Sequence, residues 1–325
     1  MSSPGRRPPS TAAVVVALLI VYVVWGSTYL GIAVMIETMP PLLSAGVRYG
    51  TAGLIMVVIL VAHARVTGAR FVPPTGAQWR AALVVGTLLL LGGNGGVSLA
   101  ELLIPSGVAA VLIATVPIWL AVFDAVATRR RPGGLVIGGL VAGLVGVAVL
   151  LAPVEGIGQL DPLGVALCIG SAMSWALGSL VGRGDAVRHG AFGSGMTMIG
   201  GGAMLLLAAV LLGEVGQVDL GAISTRSWIA FGYLVIVGSL VAFTAYTWLL
   251  ANVSVSTVGT YAYVNPIVAV VLGALILGEE ITPRTLVAAV IIIGAVVAMV
   301  SGRPRESEEA GPSPDAAPLE HRETA

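Results

Sequence analysis

The side chains able to make or break bonds are few and poorly grouped. His63, His189 and His321 all fall in connecting segments or the C-terminal tail, and the single cysteine, Cys168, sits inside an apolar run. A serine hydrolase dyad, an imidazole metal site, a disulfide or a histidine proton relay therefore lacks its parts. Cys168 reads as a small packed hydrophobe rather than a reactive thiol. What remains are groups that recognise rather than react: Trp25, Tyr29, Asn94, Ser98, Thr115, Trp119, Trp175, Tyr246, Tyr261 and Asn265, all within otherwise aliphatic stretches. Their hydrogen-bonding atoms would orient a small polar or amphipathic solute while flat aromatic faces cover its apolar part. These ten form the candidate solute site; no catalytic, metal or cofactor residue is assigned.

Other residues are costly where they stand. Arg48 lies six residues past Leu42 in an apolar stretch, where an arginine costs about 2.5–3.5 kcal/mol on membrane insertion scales. Glu37 or Glu101 is its expected partner, and an anion-attracting gate and a structural ion pair are weighed evenly. Asn94 is flanked by Gly92, Gly93, Gly95 and Gly96. So much glycine points either to local unwinding that would expose carbonyls beside the Asn94 amide or to a tight helix crossing glued by it. Pro117 and Pro266 each remove a backbone donor near the middle of a stretch. Gly92, Gly96, Pro117 and Pro266 are the expected bending points. Polar or aromatic residues recur on single faces: Trp25, Thr28 and Tyr29; Ser171, Trp175 and Ser179; Thr257, Tyr261 and Asn265; and Ser239, Phe243, Tyr246 and Thr247.

The elements that must position these groups are membrane helices. Of 325 residues, 57% are apolar and only 10% charged, against about a quarter charged in a globular protein, so a soluble fold is excluded. A helix needs about 20 apolar residues to cross a hydrocarbon core. Ten stretches meet or approach that length: Thr11 to Ile32, Leu42 to Ala62, Trp79 to Ala100, Ser106 to Ala127, Leu135 to Ala152, Leu163 to Gly182, Phe192 to Gly213, Trp228 to Leu250, Thr257 to Leu277 and Thr285 to Gly302. Arg6 and Arg7 precede the first, whose length and lack of a small-residue cleavage site favour a spanning helix over a signal peptide.

With ten spans and both termini inside, thirteen of the 16 arginines fall on the inner side, Arg226 and Arg284 fall outside, and Arg48 lies within a span. That asymmetry is the expected cytoplasmic bias and places both ends in the cytoplasm of a multi-pass cell-membrane protein. Residues 1–10 form a short cytoplasmic segment, and 303–325, rich in Pro, Glu and Ser, a disordered cytoplasmic tail. Zero formal net charge provides no field for nucleic acid. The expected partners are a small-molecule substrate and the lipid bilayer, with a homodimer left open.

The two halves echo each other. Trp25 and Trp175 are 150 apart, Pro117 and Pro266 149, Gly146 and Gly294 148, and the Gly86 and Gly92 pair is matched by Gly232 and Gly238. Five spans per half force the second half, 163–302, to insert upside down relative to the first, 11–152. The expected fold is an all-α integral membrane protein, with ten transmembrane helices as two inverted five-helix repeats around a central cavity, a recurring design for alternating access. A membrane-embedded lipid-modifying enzyme would need clustered Asp, His, Ser or Cys at one depth, and a passive channel would not need the repeat; both are the alternatives. The first stretch carries no buried glutamate of the kind small multidrug antiporters use, so proton coupling is not expected.

Four segments resemble the EamA family of the drug/metabolite transporter superfamily: WGSTYLGIA from Trp25 to Ala33, PPLLSAGVRYGTAGLIM from Pro40 to Met56, SAMSWALGSLVGR from Ser171 to Arg183, and YVNPIVAVVLGALILGEEIT from Tyr263 to Thr282. The resemblance covers essentially all of Thr11 to Gly302 and implies ten helices in two inverted repeats around a cavity open to one side at a time. It implies a solute exporter or facilitator, for an amino acid or related metabolite, in the cytoplasmic membrane. One departure stands out: LGEEIT at Leu277 to Thr282 is answered in the first half by ATRRRPG at Ala127 to Gly133. Glu279 thus has no symmetric counterpart, and capping or anchoring of its hairpin is expected of it rather than solute binding.

Overall fold

The computed structural model describes residues 10–68, 71–129, 134–152, 159–184, 186–188, 190–253 and 260–301. The expected segments 1–10 and 303–325, save Ser10, and also Thr257, lie outside them, as does the side chain of Thr247. Helices make up the described fold: α1 Thr11–Ile36, α2 Pro41–Thr67, α3 Gly76–Ala100, α4 Ser106–Thr128, α5 Gly134–Leu151, α6 Pro162–Val181 and α7 Gly190–Leu211. α8 runs from Thr225–Tyr233 through Leu234–Val241 into Ala242–Asn252, α9 from Tyr261–Leu272 into Gly273–Leu277, and α10 is Pro283–Ser301. Among the described residues seven helices are long and apolar enough to cross a membrane, and three apolar ones, within α5, α9 and α10, are shorter. Leu54, Val58, Ile59, Leu211 and Val290 are exposed, as side chains facing lipid would be.

Local chemistry sets the helix starts. Ser10 caps α1, Asp161 accepts from Leu163 N and Gly164 N at the head of α6, Ser224 caps α8, and Thr75 with Gln78 forms a reciprocal capping box on α3. Gly278, at φ 69°, takes the left-handed conformation that ends α9.

Two carboxylates reach across the bundle to cap other helices. Glu214, just past α7, accepts from Leu42 N at 3.2 Å and Leu43 N at 2.7 Å, in the first turn of α2. Glu279, past α9, accepts from Ser106 N at 2.8 Å, Ser106 Oγ at 2.7 Å and Gly107 N at 3.0 Å, at the start of α4. Negative charge at a helix N-terminus satisfies orphan amides and the helix dipole together. α2 packs along α7 and α5 along α10; α3 lies against α6 and α7, and α1 against α8 and α9.

The glycine run does not unwind α3. Residues Thr87–Gly95 form a π-helical turn, and Leu234–Val241 of α8 forms another. Wider turns of this kind are frequent at functional sites. Gly92 and Gly96 are required by contact: an added Cβ would sit 2.1 Å from Ser174 Oγ at the first and 2.2 Å from Ser171 Oγ at the second. Ser174 Oγ in turn donates to the Leu88 carbonyl at 2.7 Å, so α3 and α6 meet backbone to side chain. α4 is interrupted between Ile113 and Val116, just ahead of Pro117, while Pro266 sits inside an unbroken helical stretch of α9.

Candidate functional site

A cavity of about 130 Å³ lies where α1, α2, α3, α4, α6, α8 and α9 converge. α1 supplies Trp25, Thr28, Tyr29 and Ile32, because residues three and four apart share a helix face. The π turn of α3 presents Asn94 beside Gly93 and Val97; α6 adds Ser171 and Trp175; α9 adds Tyr261, Asn265 and Pro266. Pro117 and the segment before it complete the α4 wall.

One side of the site is aromatic. The Trp25 ring centroid lies 4.9 Å from that of Tyr246, 5.1 Å from Tyr261 and 5.7 Å from Phe243, mostly edge to face. Such a cluster offers π faces to an apolar chain or a cation. Tyr22 and Thr260 are hydrogen-bonded through their hydroxyls, fastening α1 to the base of α9. Asn265 is buried, and the surrounding carbonyls orient its amide: nitrogen donates to Tyr22 O and Tyr261 O, each at 3.1 Å. That leaves Oδ1 as the atom with accepting capacity.

Arg48 also lines this cavity and is only 3% exposed. Its Nε donates to Ser239 Oγ at 3.3 Å and its guanidinium carbon lies 4.5 Å from the centre of the Tyr49 ring. Ser239 in turn donates its hydroxyl to the Leu234 carbonyl, five residues back along the π turn. The pairing of Arg48 with Glu37 or Glu101 does not form. Glu37 pairs with Arg226 at 3.5 Å, and both carboxyl oxygens of Glu101 are buried without a hydrogen-bond partner among the described residues. The reason is topological: α8 delivers a hydroxyl to Arg48 from a site 191 residues away in sequence.

Of the ten candidate residues, Trp25, Tyr29, Asn94, Trp175, Tyr261 and Asn265 line the cavity, and Tyr246 stands behind Trp25. Ser98, Thr115 and Trp119 do not line it. Ser98 is buried with its hydroxyl on the Asn94 carbonyl, Thr115 returns its own to Leu112, and Trp119 stacks on Phe123 at 6.4 Å. Of the expected bending points, Pro117 and Pro266 reach the cavity, whereas Gly92 and Gly96 face α6. Thr28, Tyr49, Ser171 and Phe243 line it without being among the ten. Thr28, Ser171 and Phe243 carry a signal in sequence, shared faces with chosen residues; the aliphatic wall of Ala110, Ile113 and Val116 carries none.

The profile of the EamA-like transporter family matches residues 12–152 and, a second time, residues 162–301. The chain belongs to the EamA-like transporter family. It is 36% identical over 292 residues to the inner membrane transporter YedA of Escherichia coli K12, covering 88% of this chain and 90% of that one. The transporter YvbV of Bacillus subtilis is 26% identical over 94% of this chain and 96% of its own. The threonine/homoserine exporter RhtA of Escherichia coli K12 is 29% identical over 61% of this chain and 62% of its own. A crystal structure sharing 19% identity superposes with a TM-score of 0.59 over 89% of this chain and 96% of that one, a likeness of fold. This EamA protein is therefore a multi-pass membrane transporter, and its cavity is read in those terms.

Proposed function

We propose that this EamA transporter is an exporter or facilitator of a small amphipathic carboxylate, an amino acid or close relative, working by alternating access in the cytoplasmic membrane with both termini in the cytoplasm. The observation that carries the reading is Arg48: a buried guanidinium on the cavity wall, beside aromatic rings, with no described carboxylate to neutralise it. A buried cation without a counter-ion is costly, and a solute carboxylate would supply one. The Trp25, Phe243 and Tyr261 rings would then cover the apolar part of the solute or its ammonium group. A relative named for threonine and homoserine export supports the same solute class.

Ten spans in two inverted halves fit the packing. Advancing each helix by five turns the α3–α6 contact into α8–α1 and α4–α6 into α9–α1, both of which occur. Glu214 joins the start of α2 to the end of α7 and Glu279 the start of α4 to the end of α9, so counterpart helices run in opposite directions. Both third helices carry the π turn. Thirteen of the 16 arginines on the side of the termini support the orientation.

The experiment is counterflow in proteoliposomes, with labelled threonine or homoserine outside and unlabelled solute inside. Saturable, trans-stimulated uptake is expected of a carrier. Flux that rises without saturation and ignores internal solute would assign a channel instead.

A further inference from the structure

Glu101 follows α3 directly, at the end of the bundle where Glu279 meets α4, one residue past the apolar span. Both its carboxyl oxygens are buried, and neither has a hydrogen-bond partner among the described residues. The adjoining core is aliphatic: Ala100, Ile104, Val108, Val165 and Cys168 belong to one buried cluster. The titratable groups that face it come from three elements: Tyr29 of α1, Cys168 of α6 and Glu279 beyond α9. None is a cation. Among the described residues Arg48 donates to Ser239 Oγ and Arg284 to the Ala152 carbonyl. Glu279 is committed to three donors at the start of α4.

An ionised Glu101 would therefore be a buried anion facing a second carboxylate with no donor of its own. Burial first, and the Glu279 charge second, hold the Glu101 carboxyl well above the usual carboxylate range. Tyr29 joins this region to the cavity, since it lines the cavity and packs against the same buried cluster.

We infer that Glu101 is a proton-binding site of the transport cycle, protonated while this end of the bundle is closed and releasing its proton to water when that end opens. The proton passes from the carboxyl group to solvent and returns before closure. A group that binds its proton more tightly in one arrangement favours that arrangement as pH falls. Low pH on this side thus holds the end closed, and rising pH frees it. Each unit by which the pKa differs between the two arrangements is worth a factor of about ten in their ratio.

Two measurements on the purified chain in proteoliposomes test this, and neither uses a solute, so failure here is distinguishable from failure of the cavity assignment. In the first, Val108→Cys is introduced on a Cys168→Ala background as an accessibility reporter, with and without Glu101→Gln, and labelled by an impermeant maleimide across a pH series. Comparing the two at each pH cancels the thiol's own titration. The labelling of the reporter that retains Glu101, divided by that of the reporter carrying Glu101→Gln, should climb several-fold with pH; a ratio constant across the series overturns the proposal. In the second, infrared spectra of the unmodified chain should show a protonated-carboxyl band at neutral pH that shifts in Glu101→Asp and vanishes in Glu101→Gln. A neutral-pH spectrum lacking that band overturns it equally, even if the substituted chains fail to fold.

Discussion

Replacing Arg48 by glutamine separates solute recognition from structure. Among the described residues Arg48 makes one hydrogen bond, to Ser239, and one ring contact, with Tyr49, so its remaining donors are available to a ligand in the cavity. A charge-assisted bond to a carboxylate contributes about 1.5–3 kcal/mol, which is roughly tenfold to 150-fold in affinity. Glutamine removes the charge and the fork geometry while keeping a polar, shorter side chain. The assay is binding and counterflow for a matched pair of solutes, an amino acid and its carboxamide. Arg48→Gln should weaken the acid by at least about tenfold and leave the amide within about twofold, because the amide never drew on the guanidinium's charge. Equal loss for both members of the pair would show that Arg48 shapes the cavity without reading the carboxylate, and the substrate class proposed above would fall.

Asn265→Leu should cut flux strongly while the chain still inserts, since it removes the amide that bonds Tyr22 O and Tyr261 O and the acceptor it leaves over; wild-type flux in proteoliposomes would remove Asn265 from the site. Glu279→Ala abolishes three bonds at the start of α4 and should cost about 3 kcal/mol of stability, with Glu279→Gln losing about half as much, read from unfolding in detergent. Gly96→Ala, whose Cβ would lie 2.2 Å from Ser171 Oγ, should destabilise by about 1–3 kcal/mol; adding Ser171→Ala should restore most of it, and strict additivity would contradict the α3–α6 contact. On the proton-site proposal, efflux should change with pH on the side facing Glu279, and Glu101→Gln should flatten that profile; an unchanged profile would count against the site.

The helices were legible because hydrocarbon thickness sets a length that aliphatic runs either reach or miss, and Pro117 and Pro266 declare themselves by chemistry. Side-chain partnership was not legible. Ser98 and Thr115 look like site residues on a helical wheel, yet each hydroxyl turns back to a carbonyl of its own helix, which periodicity cannot register. Arg48 was expected to seek a carboxylate, whereas a hydroxyl on a π turn reaches it first; the i→i+5 register of that turn leaves no mark in residue type. Glycines Gly92 and Gly96 have two readings in sequence, bending and close contact, and only the position of Ser171 and Ser174 on α6 shows the contact. In sequence Glu101 reads as a partner for Arg48; its lack of a hydrogen-bond donor among the described residues, with Glu279 engaged at the start of α4, is a fact of packing alone.

The central claim, one cavity reached from the two membrane faces in turn, is tested most directly at Thr28, which lines it. With Thr28→Cys on a Cys168→Ala background in oriented vesicles, an impermeant thiol reagent should label from either face, and saturating solute on one side should raise labelling from one face while lowering it from the other. Labelling that rises or falls together from both faces, or that proceeds from both at once at full rate, would contradict alternating access.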